Sequence, residues 1–365
     1  MRKINYTTRV IFIYIITLLS LQSCKKDKQD SEISEIESLM HRGGGLPNVK
    51  VSTLVANSGR ANYLAASETG DLYFAQGSQI LKISPKGQVT DFAGNADESG
   101  FRNGQGSAAL FSEIKGITVG PDNNIYVADS YNNVIRKITP TGSVTTFAGS
   151  GSPGYTDGTR TNCRFDIPWE VAFDKQGNLY VYDQGNYRIR KISKQGVVST
   201  VAGSGQGNWI KDGPVDQATF DGVSGMAVND KGVIFVVEHL PSNIRMIKDG
   251  VVKTIAGPID GSATGWNGRW DGIGENARFS LPQDLTIAPD GSLYIADAET
   301  HMIRKVYQSS KGWVVRTVAG DPLPEEAYVD GPGHKARFYY PFGITWYKGN
   351  LFISEQGHIR KIALK

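Results

Sequence analysis

The stretch GITVGPDNNIYVADSYNNVIRKITPTGSVTTFAG, Gly116–Gly149, decides the fold. It holds four short runs, 116–119, 125–128, 134–138 and 144–148, each rich in β-branched or aromatic residues. Alternation along such runs sends successive side chains to opposite faces of a strand. GPDNN and TPTGS between runs supply the residues that tight turns require. Four strands joined in this way make one antiparallel unit.

The unit is copied along the chain. The third run ends on Ile138, and related phrases end on Ile83, Ile192, Ile247, Val306 and Ile362, at intervals of 55, 54, 55, 59 and 56 residues. A period this regular signals one supersecondary unit repeated, and a radial arrangement protects sheet edges that an open stack would expose. The expected fold is all-β: a six-bladed β-propeller of four-stranded antiparallel blades. A second phrase tells how the ring closes. VTDFAG (89–94), VTTFAG (144–149), VSTVAG (198–203), VKTIAG (252–257) and VRTVAG (315–320) each follow a third run, whereas VSTLVA (51–56) precedes every blade. The N-terminal strand is therefore expected to complete the last blade by pairing with the segment around Ile359–Ile362.

The aliphatic-rich first strand, IYVAD on the second and NxxIRKI on the third resemble NHL repeats. The recurrent DG, four residues, AxF and then Pro belong to a style of bacterial NHL propeller. The resemblance covers residues 50–365 and implies the same six-bladed ring. The family includes binding modules, scaffolds and some enzymes, so the fold does not name a function. Peptide-amidating lyase propellers, to which NHL repeats are similar, place zinc histidines after the loop proline. Here those places hold Trp169, Gln283 and Phe342, which argues against that activity.

Ahead of the repeats, Arg2, Lys3 and Arg9 precede an apolar run, Val10–Leu21, and then LQSC, which resembles a bacterial lipobox. The reading is a signal peptide over 1–23, a lipidated Cys24, a charged tether over 24–48 and the propeller over 49–365. It implies an exported outer-membrane lipoprotein of a Gram-negative bacterium, touching the membrane through the anchor alone. With 39 Lys and Arg against 36 Asp and Glu, nothing in the balance suggests a nucleic-acid partner. Cys163 is the other cysteine of two, so no disulfide is expected and the core must suffice, in a monomer.

Residue types needed in every blade are more simply explained by the blade than by a ligand. Phe111, Phe165, Phe220, Phe279 and Phe338 read as packing anchors, and Cys163 takes the place of Ala109, Ala218, Ala277 and Ala336. Asp129, Asp183, Glu238, Asp297 and Glu355 end second strands and are expected to pair with Arg136, Arg190, Arg245, Arg304 and Arg360. Trp209 and Trp270 stand with Phe101, Tyr155 and Tyr328 as loop anchors near the DG.

The residues entering each first strand do not repeat: Asn62-Tyr63, Lys115-Gly116, Trp169-Glu170, Ser224-Gly225, Gln283-Asp284 and Phe342-Gly343. Tyr63, Trp169 and Phe342 offer flat apolar faces, while Lys115, Glu170, Gln283 and Asp284 offer charge and hydrogen bonds. A sugar stacks its C–H face on an aromatic ring while its hydroxyls seek acceptors, so this mixture points to a glycan or other extracellular polymer. Trp266, in the insertion IDGSATGWNGRW (259–270), is a second candidate contact. The long fourth-to-first loops and the second-to-third loops share one face, the expected working surface. No metal, cofactor or catalytic residue is assigned, although His239, His301 and His358 fall on second-to-third loops of successive blades, and Glu170 with Asp284 could form an acid dyad. The alternatives are a protein–protein scaffold in an envelope complex, and a hydrolase or lyase with its site at the channel mouth.

Overall fold

In a computed structural model, residues 46, 48–207, 210–259, 268–321 and 328–364 are described. Cys24, with the signal and nearly all of the tether, lies outside the described residues, as do Trp209 and Trp266. Among the described residues the strands form six antiparallel sheets, one per repeat. Blade 2, containing the decisive stretch, is built from Ile114–Val119, Ile125–Asp129, Val134–Ile138 and Ser143–Ala148. Blades 1, 3, 4 and 5 repeat the pattern from first strands Leu64–Ala66, Pro168–Phe173, Val223–Val228 and Pro282–Ile287.

The sixth blade closes the ring. Lys50–Arg60 lies antiparallel to Asn350–Ala363, with Val51 opposite Ile362 and Thr53 opposite Arg360. Val51, Ile359 and Ile362 are fully buried. Asn350–Ala363 serves as both second and third strand: its first part pairs with Ile344–Tyr347 and its second with the N-terminal strand. Elsewhere seven residues separate the strand-end carboxylate from its arginine, and blades 2 and 3 use them for a 3-10 turn, Ser130–Asn132 and Gln184–Asn186. Only five separate Glu355 from Arg360, so the chain bends without leaving the sheet.

Each long loop also lays a two-residue strand beside the fourth strand of the blade it leads into: Gly104–Gln105, Gly158–Thr159, Gly213–Pro214, Gly272–Ile273 and Gly331–Pro332. The sequence reading of four strands per blade did not include these. Their cause is the DG aspartate, replaced in blade 2 by Asn103, which accepts from Arg136 at 2.8 Å. Asp212 accepts from the Thr254 backbone N–H at 2.7 Å and from the Arg245 guanidinium at 3.0 Å, and Asp271 does the same with Thr317 and Arg304.

The strand-end carboxylates complete this clasp, as the pairing reading required. Arg136–Asp129, Arg190–Asp183, Arg245–Glu238, Arg304–Asp297 and Arg360–Glu355 stand at 2.7–3.1 Å with all ten side chains shut off from solvent. Each carboxylate also accepts the backbone N–H that follows the anchor phenylalanine, as Asp129 does from Ser112 at 2.7 Å. Each guanidinium packs 5.0–5.4 Å from that phenyl ring. One buried network thus ties loop, second, third and fourth strands together, and its charges are hydrogen-bonded as burial demands. Cys163 is buried with its thiol pushed up to about 11 by desolvation, a packing residue in the alanine position.

Candidate functional site at the hub and the long-loop face

The first strands of all six blades wall an axial cavity of about 220 Å³. At its entrance the second residue of each pair alternates: Tyr63, Glu170 and Asp284 in blades 1, 3 and 5, and Gly116, Gly225 and Gly343 between them. The alternation is steric. A Cβ on Gly116 would stand 2.8 Å from the Cα of Glu170, and one on Gly225 would stand 2.7 Å from the Cα of Asp284. On Gly343 it would meet the Asn62 carbonyl at 2.7 Å, so each large residue leans on the glycine of the preceding blade. The six unlike chemistries read from the sequence are thus two kinds of position, one of them half glycine.

Glu170 and Asp284 are both buried. Asp284 Oδ1 accepts from the Leu285 N–H at 2.7 Å and Oδ2 from the Ile344 N–H of the next blade at 2.8 Å. Glu170 Oε1 accepts from the Val171 N–H at 3.2 Å, while Oε2 makes no hydrogen bond to any described residue. Desolvation raises both carboxyls, Asp284 to about 8, and the charge of Asp284 raises Glu170 further. Tyr63 is raised by burial and by Glu170. Burial thus favours the neutral form of both carboxyls over a twin anion.

One step nearer the long-loop face, three of the first residues, Lys115, Trp169 and Phe342, form a plug around Tyr63. Trp169 donates from Nε1 to the Tyr63 hydroxyl at 2.9 Å across the axis, and Phe342 meets Tyr63 edge to face at 5.2 Å. Lys115 lies 4.4 Å from the indole of Trp169 and 2.7 Å from Glu113 Oε1. Beside the plug a pocket of about 130 Å³ opens between blades 5, 6 and 1, lined among others by Asn62, Gln283, Glu299, Tyr340, Phe342 and Gln356. The structure therefore divides the expected contacts. Gln283 and Phe342 reach this pocket, Lys115 and Trp169 cap the channel, and Tyr63, Glu170 and Asp284 face the cavity beneath.

An aromatic cluster flanks the pocket and was not anticipated. His301 stacks on Tyr339 at 5.9 Å and meets Tyr340 edge-on at 4.9 Å, and Tyr328 bridges Tyr339 and His358. Tyr340 occupies the position that carries positive φ in every aligned blade, at 47° here, and the residue is 38% exposed. The available signal was the doublet Tyr339-Tyr340, standing where blades 3 and 5 have Asp166-Ile167 and Ser280-Leu281. His239 instead faces the Gly222 carbonyl at 2.6 Å, and among the described residues no three His, Cys, Asp or Glu gather as a metal site would need.

Comparison with known proteins agrees with this architecture. The family model described as NHL repeat matches residues 111–138. The NHL repeat-containing protein 2 of Gallus gallus is 30% identical over 319 residues, covering 78% of this chain and 42% of its own length. The chain thus spans about two fifths of the length of such relatives. Among solved structures, an auxiliary nutrient binding protein from Bacteroides thetaiotaomicron superposes with a TM-score of 0.63 at 17% identity, over 86% of this chain and 76% of that one. Another from Bacteroides ovatus gives 0.61 at 16%, over 87% and 76%. At such identities the likeness is one of fold. With its repeat motif, six blades and strand-closed ring, the chain is an NHL-repeat β-propeller.

Proposed function

We propose that the protein is a non-catalytic binding propeller of the cell envelope that takes a glycan or other extracellular polymer on its long-loop face. The observation that carries this reading is the pocket where Phe342 and Tyr340 offer ring faces beside Gln283, Glu299 and Asn62. Flat apolar faces next to a few fixed polar groups suit a sugar ring. The solved propellers named above are described as auxiliary nutrient binding proteins, which supports a binding role. The lipobox-like LQSC and Cys24 support an outer-membrane lipoprotein, to be tested by loss of palmitate labelling in Cys24→Ala. Because Trp169, Phe342 and Lys115 stand above the buried acid pair, a hydrolytic role for Glu170 and Asp284 is the weaker reading.

Calorimetric titration with a panel of neutral oligosaccharides tests the proposal. Phe342→Ala is expected to weaken binding by about tenfold or more, on the order of 1.4 kcal/mol. Wild-type protein that binds none of them, or a variant that binds equally well, overturns it. A protein-partner reading has one observation in its favour. Phe101, Tyr155, Trp270 and Tyr328, one per blade, expose 55, 45, 64 and 40% of their surface around the rim of the same face. These side chains also serve as the loop anchors read from the sequence: Arg136 lies 4.9 Å from the Phe101 ring, Arg190 4.8 Å from the Tyr155 ring, and Arg304 donates to the Trp270 carbonyl. Envelope cross-linking that is lost when Trp270 and Phe101 become serine would favour that reading over the glycan.

A further inference from the structure

The repeats act as internal controls, and on the face opposite the long loops one interblade groove departs from all of them. In five blades a second-strand aromatic sits under a third-strand lysine: Tyr73 with Lys82, Tyr126 with Lys137, Tyr180 with Lys191, Tyr294 with Lys305 and Phe352 with Lys361, at 5.5–5.9 Å. In blades 2 and 5 a turn aspartate holds that lysine, Asp122 at 2.9 Å and Asp290 at 3.3 Å. Blade 4 replaces the set. Phe235 faces Met246 across the ladder, and Lys231 stands where Asp122 and Asp290 stand in their blades.

The neighbouring blade changes at the same place. Blades 1 to 4 turn into their fourth strands on Gly87, Gly142, Gly196 and Gly250, with φ of 83, 87, 86 and 77°. At the equivalent position blade 5 has Trp313, because its hairpin continues as two eight-residue strands, Met302–Ser309 and Gly312–Ala319. The extension raises a wall whose indole meets Phe235 edge to face at 5.8 Å. Between wall and blade 4 lies a groove of about 770 Å³, floored by Phe235 and Met246, walled by Trp313 and Tyr307, and rimmed by Lys231 and Lys248. It is larger than the axial cavity or the long-loop pocket, and falls within the range typical of ligand sites.

We propose that this groove is a second binding site, taking a short saccharide whose rings carry an anionic group. Three substitutions that are unnecessary to a blade, Met246, Lys231 and Trp313, converge with Phe235 on one space. The apolar floor and the indole and phenol walls suit the C–H faces of sugar rings, while Asn229, Ser292 and Gln308 offer partners to hydroxyls. Charge selects the anion. Asp290 is taken by Lys305 at 3.3 Å and Asp249 lies 3.8 Å from Lys248, whereas the Lys231 ammonium has no ion pair among the described residues. The lining is left with one positive charge uncompensated.

This site stands apart from the long-loop face and does not depend on it. Calorimetry on the purified protein would use trigalacturonate, a sulfated galactose trisaccharide and the neutral galactose trisaccharide. At least one acidic probe is expected to bind, and whichever binds tighter identifies the anion as carboxylate or sulfate. The neutral probe is expected to bind at least about tenfold more weakly, and the acidic affinity to fall between about 50 and about 500 mM salt. Trp313→Gly should abolish binding. Lys231→Asp, at an exposed turn and restoring what blades 2 and 5 carry, should weaken it about tenfold without lowering the melting temperature. Phe342→Ala should leave it intact, which separates this site from the long-loop pocket. No binding by either acidic probe, equal binding of the neutral one, or undiminished affinity in Lys231→Asp overturns the proposal.

Discussion

At the scale of single residues, the hub carboxyls make a pH-dependent claim. Glu170 and Asp284 have folded pKa values raised above the ordinary carboxylate range by burial, Asp284 to about 8. Below about pH 4 both folded and unfolded chains hold these protons, so stability does not vary on their account. Between there and about 8 the unfolded chain releases protons that the folded chain keeps, and stability falls as pH rises. Glu170→Gln removes one of these groups, the one raised both by burial and by the charge of Asp284. The variant is expected to gain on wild type across that window, by an amount that grows as pH rises. Urea titrations at intervals from pH 4 to 9 check it, and parallel stability curves would contradict it. The clasp makes the opposite kind of claim. Arg304 is fully buried against Asp297 and donates to the Arg278 and Trp270 carbonyls. Arg304→Met should cost about 3–5 kcal/mol in denaturant unfolding, because a buried carboxylate loses its counter-charge. The pairing of Asp297 with Arg304 was legible because it recurs in five blades. The alternation of Tyr63, Glu170 and Asp284 with glycines was written in the same alignment, but its meaning needed the distance from each glycine to the next blade.

At the scale of elements, the N-terminal strand carries the closure. Val51 is fully buried beside Ile362, and Thr53 donates from its N–H to Asp330 at 2.9 Å, so sheet, core and clasp all depend on this strand. Deleting residues 49–57 is expected to lower the melting temperature sharply, and Val51→Asp to do so by placing an unpaired charge in that core. Differential scanning calorimetry decides, and an unchanged transition would mean that the strand is dispensable. The fourth-strand phrase at 51–56 was readable because five other copies showed what it should follow. The two-residue strands Gly158–Thr159 and Gly213–Pro214 were not. Two residues carry no periodicity, and their pairing is imposed by Asp157 and Asp212 reaching the buried arginines. The fused strand Asn350–Ala363 was likewise hidden, although the missing two residues between Glu355 and Arg360 were its cause.

At the scale of the whole molecule, a ring of six blades with a single closing strand should unfold as one cooperative unit, since each blade is packed on both sides. Hydrogen exchange in Val51→Asp is expected to lose protection in Tyr180–Tyr182, on the far side of the ring, as well as near Ile362. Loss confined to blade 6 would show that the blades open independently. The sequence by itself determined the four-stranded unit, the repeat, the blade count, the closing strand and the carboxylate–arginine pairs. All of these follow from periodicity and from recurrence, which are local or self-comparing. Only the tertiary structure decided which unlike residues meet. Trp169 with Tyr63, Tyr340 beside Phe342, and Phe235 under Trp313 are joined by ring curvature and hairpin length, through contacts between blades that no spacing along the chain encodes.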